Sequence, residues 1–118
     1  MMPMNPTDFG GALSLDGYGP GFFRIGGKVH RGPVTATAQA VRAWGGLDDT
    51  AALLDLAAEV DLLFVGMGAD IARLPGDLAG RLQDAGLMVE AMSSPSAARS
   101  YNVTLAEGRR VACALIPV

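Results

Sequence analysis

The carboxy-terminal third of the chain constrains the fold most, because it contains start and stop signals for a helix and then a strand. Ser93-Ser94 are residue types that cap helix N-termini, and Pro95 suits the first helical turn. Gly108 can adopt the left-handed conformation that ends a helix. The sequence therefore predicts a helix over residues 95–107, and the apolar run over residues 111–116 predicts a strand.

The preceding residues alternate helix-period segments with short apolar runs. One helix is expected to begin at Asp48 or Asp49, and a second contains Leu78 and Leu82. Residues 61–65 predict a strand that is buried on both faces, and residues 87–91 predict another strand. A strand, a helix and a strand with short connections predict a right-handed parallel crossover, so we expect helices packed on a mixed sheet.

The first half of the chain is rich in glycine and β-forming residues. Residues 22–25 and 28–30 flank Gly26-Gly27, a pair that tolerates the positive φ angles of a two-residue turn, and they predict a β-hairpin. Residues 34–40 predict a further strand. We interpret residues 1–12 as a flexible lead-in and residues 13–118 as a single domain.

Composition excludes several classes of partner and location. The 118 residues are 50% hydrophobic and 18% charged, with a net charge of −3, and the sequence has no Lys/Arg cluster other than Arg109-Arg110. We therefore expect no nucleic-acid partner and no attraction to an anionic membrane surface. Cys113 is the only cysteine, which is typical of a reducing compartment. No apolar run approaches the roughly 20 residues that span a bilayer, so we expect a cytoplasmic protein without membrane insertion.

The candidate ligand site lies where the parallel strands end. The loops at Gly66-Gly68 and Ser93-Ser94 should lie together there, and the predicted helix directs unpaired N–H groups and Arg99 toward the same point, which suits a small anion. The dinucleotide fingerprint and the phosphate-loop ending are both missing. The alternative is that these glycines serve only a tight turn and close helix packing. The full candidate site for a ligand or partner comprises Gly66, Gly68, Asp70, Ser93, Ser94, Arg99, Tyr101, Asn102, Glu107 and Arg109.

Several of these residues also have structural interpretations. Tyr101 belongs to the apolar stripe of the predicted helix, and Asn102 at its margin is expected to bond the backbone of a neighbouring loop. Glu107 can pair with Arg110 three residues later, and Arg109 can bind helix-end carbonyls or a carboxylate such as Asp70 or Glu90.

No catalytic, metal or cofactor site is evident in the pattern. His30 is the only histidine, and we expect it on the surface or on an edge strand. It is far in sequence from Cys113, which lies in an apolar strand and is interpreted as an unreactive thiol. No close acidic pair lies within an apolar stretch. Trp44, beside Gly45-Gly46, is interpreted as a core anchor at a turn.

The segments FVGMG and LMVEAMSSPSAARSYNVTLAEGRRVACALIPV, with the earlier Gly-Gly hairpin and Trp44, resemble one family. It is the family of small domains that includes mitochondrial respiratory complex I assembly factor three, together with uncharacterised bacterial relatives. The resemblance covers nearly the whole chain after about Thr7. It implies a three-layer α/β domain in which an N-terminal β-hairpin layer joins a central, mostly parallel mixed sheet.

The resemblance also implies a noncatalytic protein-interaction or assembly factor in respiratory-complex or membrane-protein biogenesis, with an unidentified protein partner. Fold alone does not determine function. The alternative is a protein or enzyme that binds a small anion with the Gly66-Gly68 and Ser93-Ser94 loops and Arg99. Homo-oligomerisation through an edge strand is a third hypothesis.

Overall fold

The chain folds into two β-sheets and three α-helices within residues 2–3, 11–70 and 72–118, which the computed structural model describes. The strands are β1 (Met2–Pro3), β2 (Leu15–Gly19), β3 (Phe22–Ile25), β4 (Lys28–Arg31), β5 (Val34–Ala36), β6 (Val41–Ala43), β7 (Leu62–Met67), β8 (Met88–Met92) and β9 (Val111–Ile116). The helices are α1 (Thr50–Asp55), which continues as a 3-10 turn over Leu56–Ala58, α2 (Leu78–Asp84) and α3 (Ser94–Ala106).

The first sheet is antiparallel, with strand order β1-β2-β3-β4. Its β3–β4 hairpin confirms the predicted turn: Ile25 pairs with Lys28, and Gly26 and Gly27 have φ angles of +58° and +81°. Residues that have a Cβ atom rarely adopt positive φ angles, so the turn depends on both glycines. The predicted lead-in over residues 1–12 falls mainly on residues outside those described; residues 2–3 form β1, which pairs with β2.

The second sheet has the order β6-β5-β9-β7-β8. β7 runs parallel to β8 and β9, whereas β5 runs antiparallel to β9 and β6. The helices α2 and α3 make the two parallel crossovers. The predicted mixed sheet is confirmed, and the predicted bounds of the last helix and strand agree with α3 and β9 to within one residue at each end.

The predicted strand over residues 34–40 is wrong in its second half. β5 ends at Ala36, because the Thr37 hydroxyl accepts hydrogen bonds from the amides of Gln39 and Ala40, each at 3.2 Å. Such a side-chain bond competes with strand pairing and reverses the chain. The reversal leads into β6, which the sequence analysis did not predict.

The second sheet is buried on both faces, as predicted for residues 61–65. On one face α3 and the first sheet pack against alternate residues of β7 and β9, including Phe64 and Cys113. On the other face α1 and α2 pack against the intervening residues, including Leu63 and Val65. Trp44 is buried in this second core, 4% exposed, and its indole N–H donates to the Asp49 carbonyl at 3.1 Å, as a core anchor should.

Candidate functional site

The two loops predicted to meet at the carboxyl ends of the parallel strands do meet. Ser94, the first residue of α3, is fully buried, and its amide donates to the Gly68 carbonyl at 2.7 Å. Its hydroxyl accepts from the Gly68 amide at 2.9 Å and donates to the Ile116 carbonyl. The Ser94 side chain therefore connects the ends of β7 and β9 to the start of α3.

Gly66 is required by this close approach of helix and strand. A Cβ atom at position 66 would lie 2.6 Å from the Ser94 Oγ, 2.7 Å from the Ser94 Cα and 2.8 Å from a Leu115 methyl carbon. Real Cβ atoms do not approach backbone atoms so closely. The contact supports the packing alternative for Gly66, and Gly68 in turn has a φ of +92° that L side chains rarely adopt.

The first turn of α3 is capped from within the chain. Ser93 has extended backbone geometry, and its hydroxyl accepts from the Ser96 amide at 3.4 Å, as predicted for an N-cap. Arg99 is exposed and reaches back to the same turn, where its guanidinium donates to the Ser96 Oγ at 3.2 Å. Arg99 thus lies where the anion hypothesis requires a cation, and anion binding at this end of α3 stays a prediction.

Tyr101 and Asn102 lie in the middle of α3 and join it to β2 and to the residues just before β2. Asn102 is a two-point bridge to a strand: its Oδ1 accepts from the Leu15 amide at 2.9 Å and its Nδ2 donates to the Leu15 carbonyl at 2.8 Å. The Tyr101 hydroxyl donates to the Leu13 carbonyl at 2.7 Å. The backbone bonding expected of Asn102 is present, although with β2 rather than with a loop.

The remaining predicted residues lie elsewhere. Glu107 and Arg109 are exposed at the far end of α3, and Asp70 is exposed beyond β7. Arg109 lines a groove of about 520 Å³ together with Met88 and Glu90 of β8. The ten predicted residues therefore occupy several separate places: the strand ends, the α3–β2 junction and the far end of α3.

The predicted pair between Glu107 and Arg110 does not form. The helix ends at Ala106 and Gly108 has a φ of +79°, so the spacing that brings helical residues together no longer applies. Arg110 instead donates to the Glu59 carbonyl at 3.1 Å and lies 3.9 Å from the Asp61 carboxylate.

Neither Cys113 nor Tyr101 has the setting of a reactive group. Burial raises the pKa of the Cys113 thiol above its usual range, and burial likewise raises the pKa of the Tyr101 hydroxyl, with a smaller contribution from Cys113. A thiol needs its anionic form to act as a nucleophile, so this environment keeps Cys113 unreactive. Among the described residues, no group of three or more His, Cys, Asp or Glu side chains is placed to hold a metal ion.

The sequence analysis missed a cluster of positive charge on the first sheet. Pairing of Phe22 with Arg31 and of Arg24 with Val29 places these four side chains together on the outer face of the β3–β4 hairpin. The Arg31 guanidinium lies 5.9 Å from the centre of the Phe22 ring. His30 is on edge strand β4, as predicted. Because Arg24 and Arg31 are seven positions apart, no run of basic residues marked the cluster.

Within the described parts of the chain, no helix combines the length and the apolar composition needed to cross a bilayer.

Three comparisons place the chain among known proteins. An uncharacterised protein of Rhodobacter capsulatus is 58% identical over the whole chain and 94% of its own length. The zebrafish protein named NADH dehydrogenase [ubiquinone] 1 alpha subcomplex assembly factor 3 is 28% identical over 85% of this chain, but the match spans only 62% of that protein. The solution structure of a Bordetella pertussis protein described as a Mth938-like domain is 27% identical, with a TM-score of 0.78, over 98% of this chain and 92% of that one.

The family described as protein of unknown function (DUF498/DUF598) matches residues 15–116, from the first residue of β2 to the last residue of β9. The matched region contains both sheets except β1, and it contains all three helices. The fold and the relatives thus agree with the resemblance found in the sequence, and this chain belongs to the DUF498/DUF598 family.

Proposed function

We propose that the chain is a noncatalytic protein-binding domain that assists assembly of a respiratory or other membrane complex from the cytoplasmic side. The observation that carries the proposal is the match of 85% of the chain to a protein named as an assembly factor of NADH dehydrogenase. The match spans less than two thirds of that protein, and a deletion experiment tests the assembly role directly.

The use of polar groups inside the fold supports a binding role over a reaction. The side chains of Ser94 and Asn102 form hydrogen bonds with the backbone of neighbouring elements. Cys113 is buried and its thiol pKa is raised. These side chains stabilise the fold, and in a catalytic site they would instead be oriented toward a substrate.

Deletion of the gene in its native cell tests the proposal. We expect a lower amount of assembled NADH dehydrogenase complex on native gels, with free subunits accumulating. The specific activity of the remaining complex should be unchanged, because an assembly factor alters how much complex forms and not how it turns over. An unchanged amount of this and the other membrane complexes would refute the proposal.

Complementation with Cys113→Ala separates assembly from chemistry. This variant removes the only thiol of the chain and should restore the complex as well as the unaltered protein does. Failure to restore it, with the variant folded and present at normal level, would indicate that the thiol takes part in a reaction.

A further inference from the structure

The β3–β4 hairpin concentrates positive charge in a chain that is negative overall. Residues 22–31 contain Arg24, Lys28 and Arg31 and neither Asp nor Glu, whereas the whole chain has a net charge of −3. Two of these cations, Arg24 and Arg31, share the outer face of the hairpin with Phe22 and Val29. Val29 is 50% exposed, and the Arg31 guanidinium is held beside the Phe22 ring. The hairpin therefore offers two cations on one face, of which Arg31 lies against an aromatic ring, together with an apolar contact.

Along the edge of the same hairpin, some backbone groups have no strand partner among the residues that the structure describes. β4 is the last strand of its sheet, with β3 as its one strand neighbour among the described residues. The Gly32 amide donates to the Gly21 carbonyl, and bonded and non-bonded pairs alternate along an antiparallel ladder. Since Gly32 bonds to the residue just before β3, the residues one and three positions before Gly32, Arg31 and Val29, belong to non-bonded pairs. Their N–H and C=O groups therefore point away from β3. The backbone and side chains of the same two residues are thus available to a partner.

We propose that β4 accepts an extended acidic segment of a partner protein as an additional strand. Backbone bonds to Val29 and Arg31 supply affinity, as in other cases of strand addition. A carboxylate opposite Arg31 meets a guanidinium that can bind both of its oxygens, and an apolar residue opposite Val29 covers its exposed side chain. The segment that fits therefore has an acidic and an apolar residue two positions apart, so that both side chains lie on the outer face.

Charge complementarity argues against a second copy of this chain at the same edge. If β4 paired with β4 of another copy, residues with outward backbone groups would face each other, so Arg31 of one copy would lie opposite Val29 or Arg31 of the other. The first register gives neither guanidinium a carboxylate, and the second places like charges directly opposite each other, which destabilises a strand pair. A negatively charged segment supplies the carboxylate that a second copy lacks.

The inference rests on the proposed function only in taking the partner to be a protein. Its first test is an NMR titration with an acetylated eight-residue peptide in which Glu and Val take turns at every second position and Thr fills the positions between them. The control is the same peptide with Lys in place of Glu. We expect the Glu peptide to shift the amide signals of Val29 and Arg31 and to slow their hydrogen exchange. The Lys peptide should leave both unchanged.

Three variants test the residues. Arg31→Glu should weaken binding of the Glu peptide by about tenfold or more, the size of one lost charge-assisted bond. Arg81→Glu makes the same charge change at an exposed position of α2 and should leave the affinity within about twofold after screening by salt. Val29→Pro removes an outward N–H without removing a bond to β3, so it should weaken binding while the hairpin signals stay dispersed.

Several results would overturn the inference. Equal binding of both peptides, shifts that map away from β4, or an unaltered affinity of Arg31→Glu would each do so. Vesicles of anionic phosphatidylglycerol that bind equally well to wild type and Val29→Pro, while the Glu peptide fails, would indicate a membrane surface instead.

In the native cell a photo-crosslinking residue at position 29 should capture an acidic segment, and one at position 88 on edge strand β8 should not. Met88 is 66% exposed and provides the matched control. If Arg31→Glu restores complex assembly in the deletion strain, this surface is refuted while the proposed assembly function stands. If deletion has no effect on any complex, the proposed function fails, and the peptide titration still tests the surface.

Discussion

The bridge between α3 and β2 should make Asn102→Leu strongly destabilising. The Asn102 side chain satisfies both backbone groups of Leu15, a residue that is only 2% exposed. Leucine has the same number and branching of side-chain heavy atoms as asparagine, so the general shape is kept while the Leu15 amide and carbonyl lose these partners. The change therefore isolates the hydrogen bonds better than alanine would.

The expected loss follows from those two groups. A buried donor or acceptor without a partner costs about 1–3 kcal/mol, so the pair costs about 2–6 kcal/mol. The apolar side chain of leucine offsets about 1–2 kcal/mol of this. We expect the free energy of unfolding to fall by about 1–4 kcal/mol, a large part of the roughly 5–15 kcal/mol typical of a domain.

Urea unfolding followed by circular dichroism measures this difference, with Val103→Ala as the control. Val103 is the next residue on α3 and is 61% exposed, so its truncation should change stability by no more than about 0.5 kcal/mol. Refutation would be a loss below about 1 kcal/mol for Asn102→Leu, since a solvated bridge would behave in this way.

Asn102→Asp adds a pH-dependent check of the same bridge. An ionised carboxylate can accept a hydrogen bond from the Leu15 amide, but it cannot donate one to the Leu15 carbonyl. In the unaltered protein the Asn102 Nδ2 donates to this carbonyl at 2.8 Å. Burial should therefore raise the carboxyl pKa in the folded variant, and its stability relative to wild type should fall as pH rises from about 4 to 7. A pH-independent difference would contradict this geometry.

Three further outcomes are expected. Gly66→Ala should lower the free energy of unfolding by about 1–3 kcal/mol, because its Cβ would meet the Ser94 backbone. The control is Gly80→Ala in α2, which has open space around it and should raise the free energy of unfolding by about 0.5–1 kcal/mol. Equal effects of the two changes in urea unfolding would contradict the close packing at Gly66. Burial raises the pKa of the Cys113 thiol, so the unfolded chain loses the thiol proton at a lower pH than the folded chain does. The free energy of unfolding should therefore fall as pH rises above about 8.5, and Cys113→Ala should flatten this fall at the start of the alkaline range. The same pH dependence in Cys113→Ala and in the unaltered protein would argue against the buried thiol. On the anion hypothesis, phosphate and organic acids should raise the melting temperature and Arg99→Ala should abolish the rise, whereas a flat thermal-shift screen of the wild-type protein would refute it.

Elements with local start and stop signals could be predicted from the sequence. α3 has a serine cap, an early proline and a glycine beyond its end, and each acts within a few residues of where it stands. β7 was predicted because a strand buried on both faces is a continuous apolar run. β6 was missed because the turn before it depends on the Thr37 hydroxyl, whose competing bonds have no distinctive sequence pattern.

The arrangement of the candidate site was predictable only in part. Parallel topology brings Gly66 and Ser94 together, and topology follows from the order of helices and strands. The partner of Asn102 was not predictable, since Leu15 lies 87 residues away in sequence. Leu15 belongs to the first sheet, whereas α3 connects two strands of the second sheet. Long-range bonds of this kind depend on how the two sheets pack, and no local pattern encodes that packing.

The positive face of the β3–β4 hairpin shows how turn length determines a surface. In one continuous strand Arg24 and Arg31 would point to opposite faces, because their separation of seven positions is odd. The two-residue turn at Gly26-Gly27 pairs residue 24 with residue 29, and residue 31 then joins them on the outer face. A turn over residues 26–28 would instead pair residue 24 with residue 30 and residue 23 with residue 31, which would bring His30 outward and turn Arg31 toward the core. The two glycines therefore specify which cations the outer face of the hairpin presents.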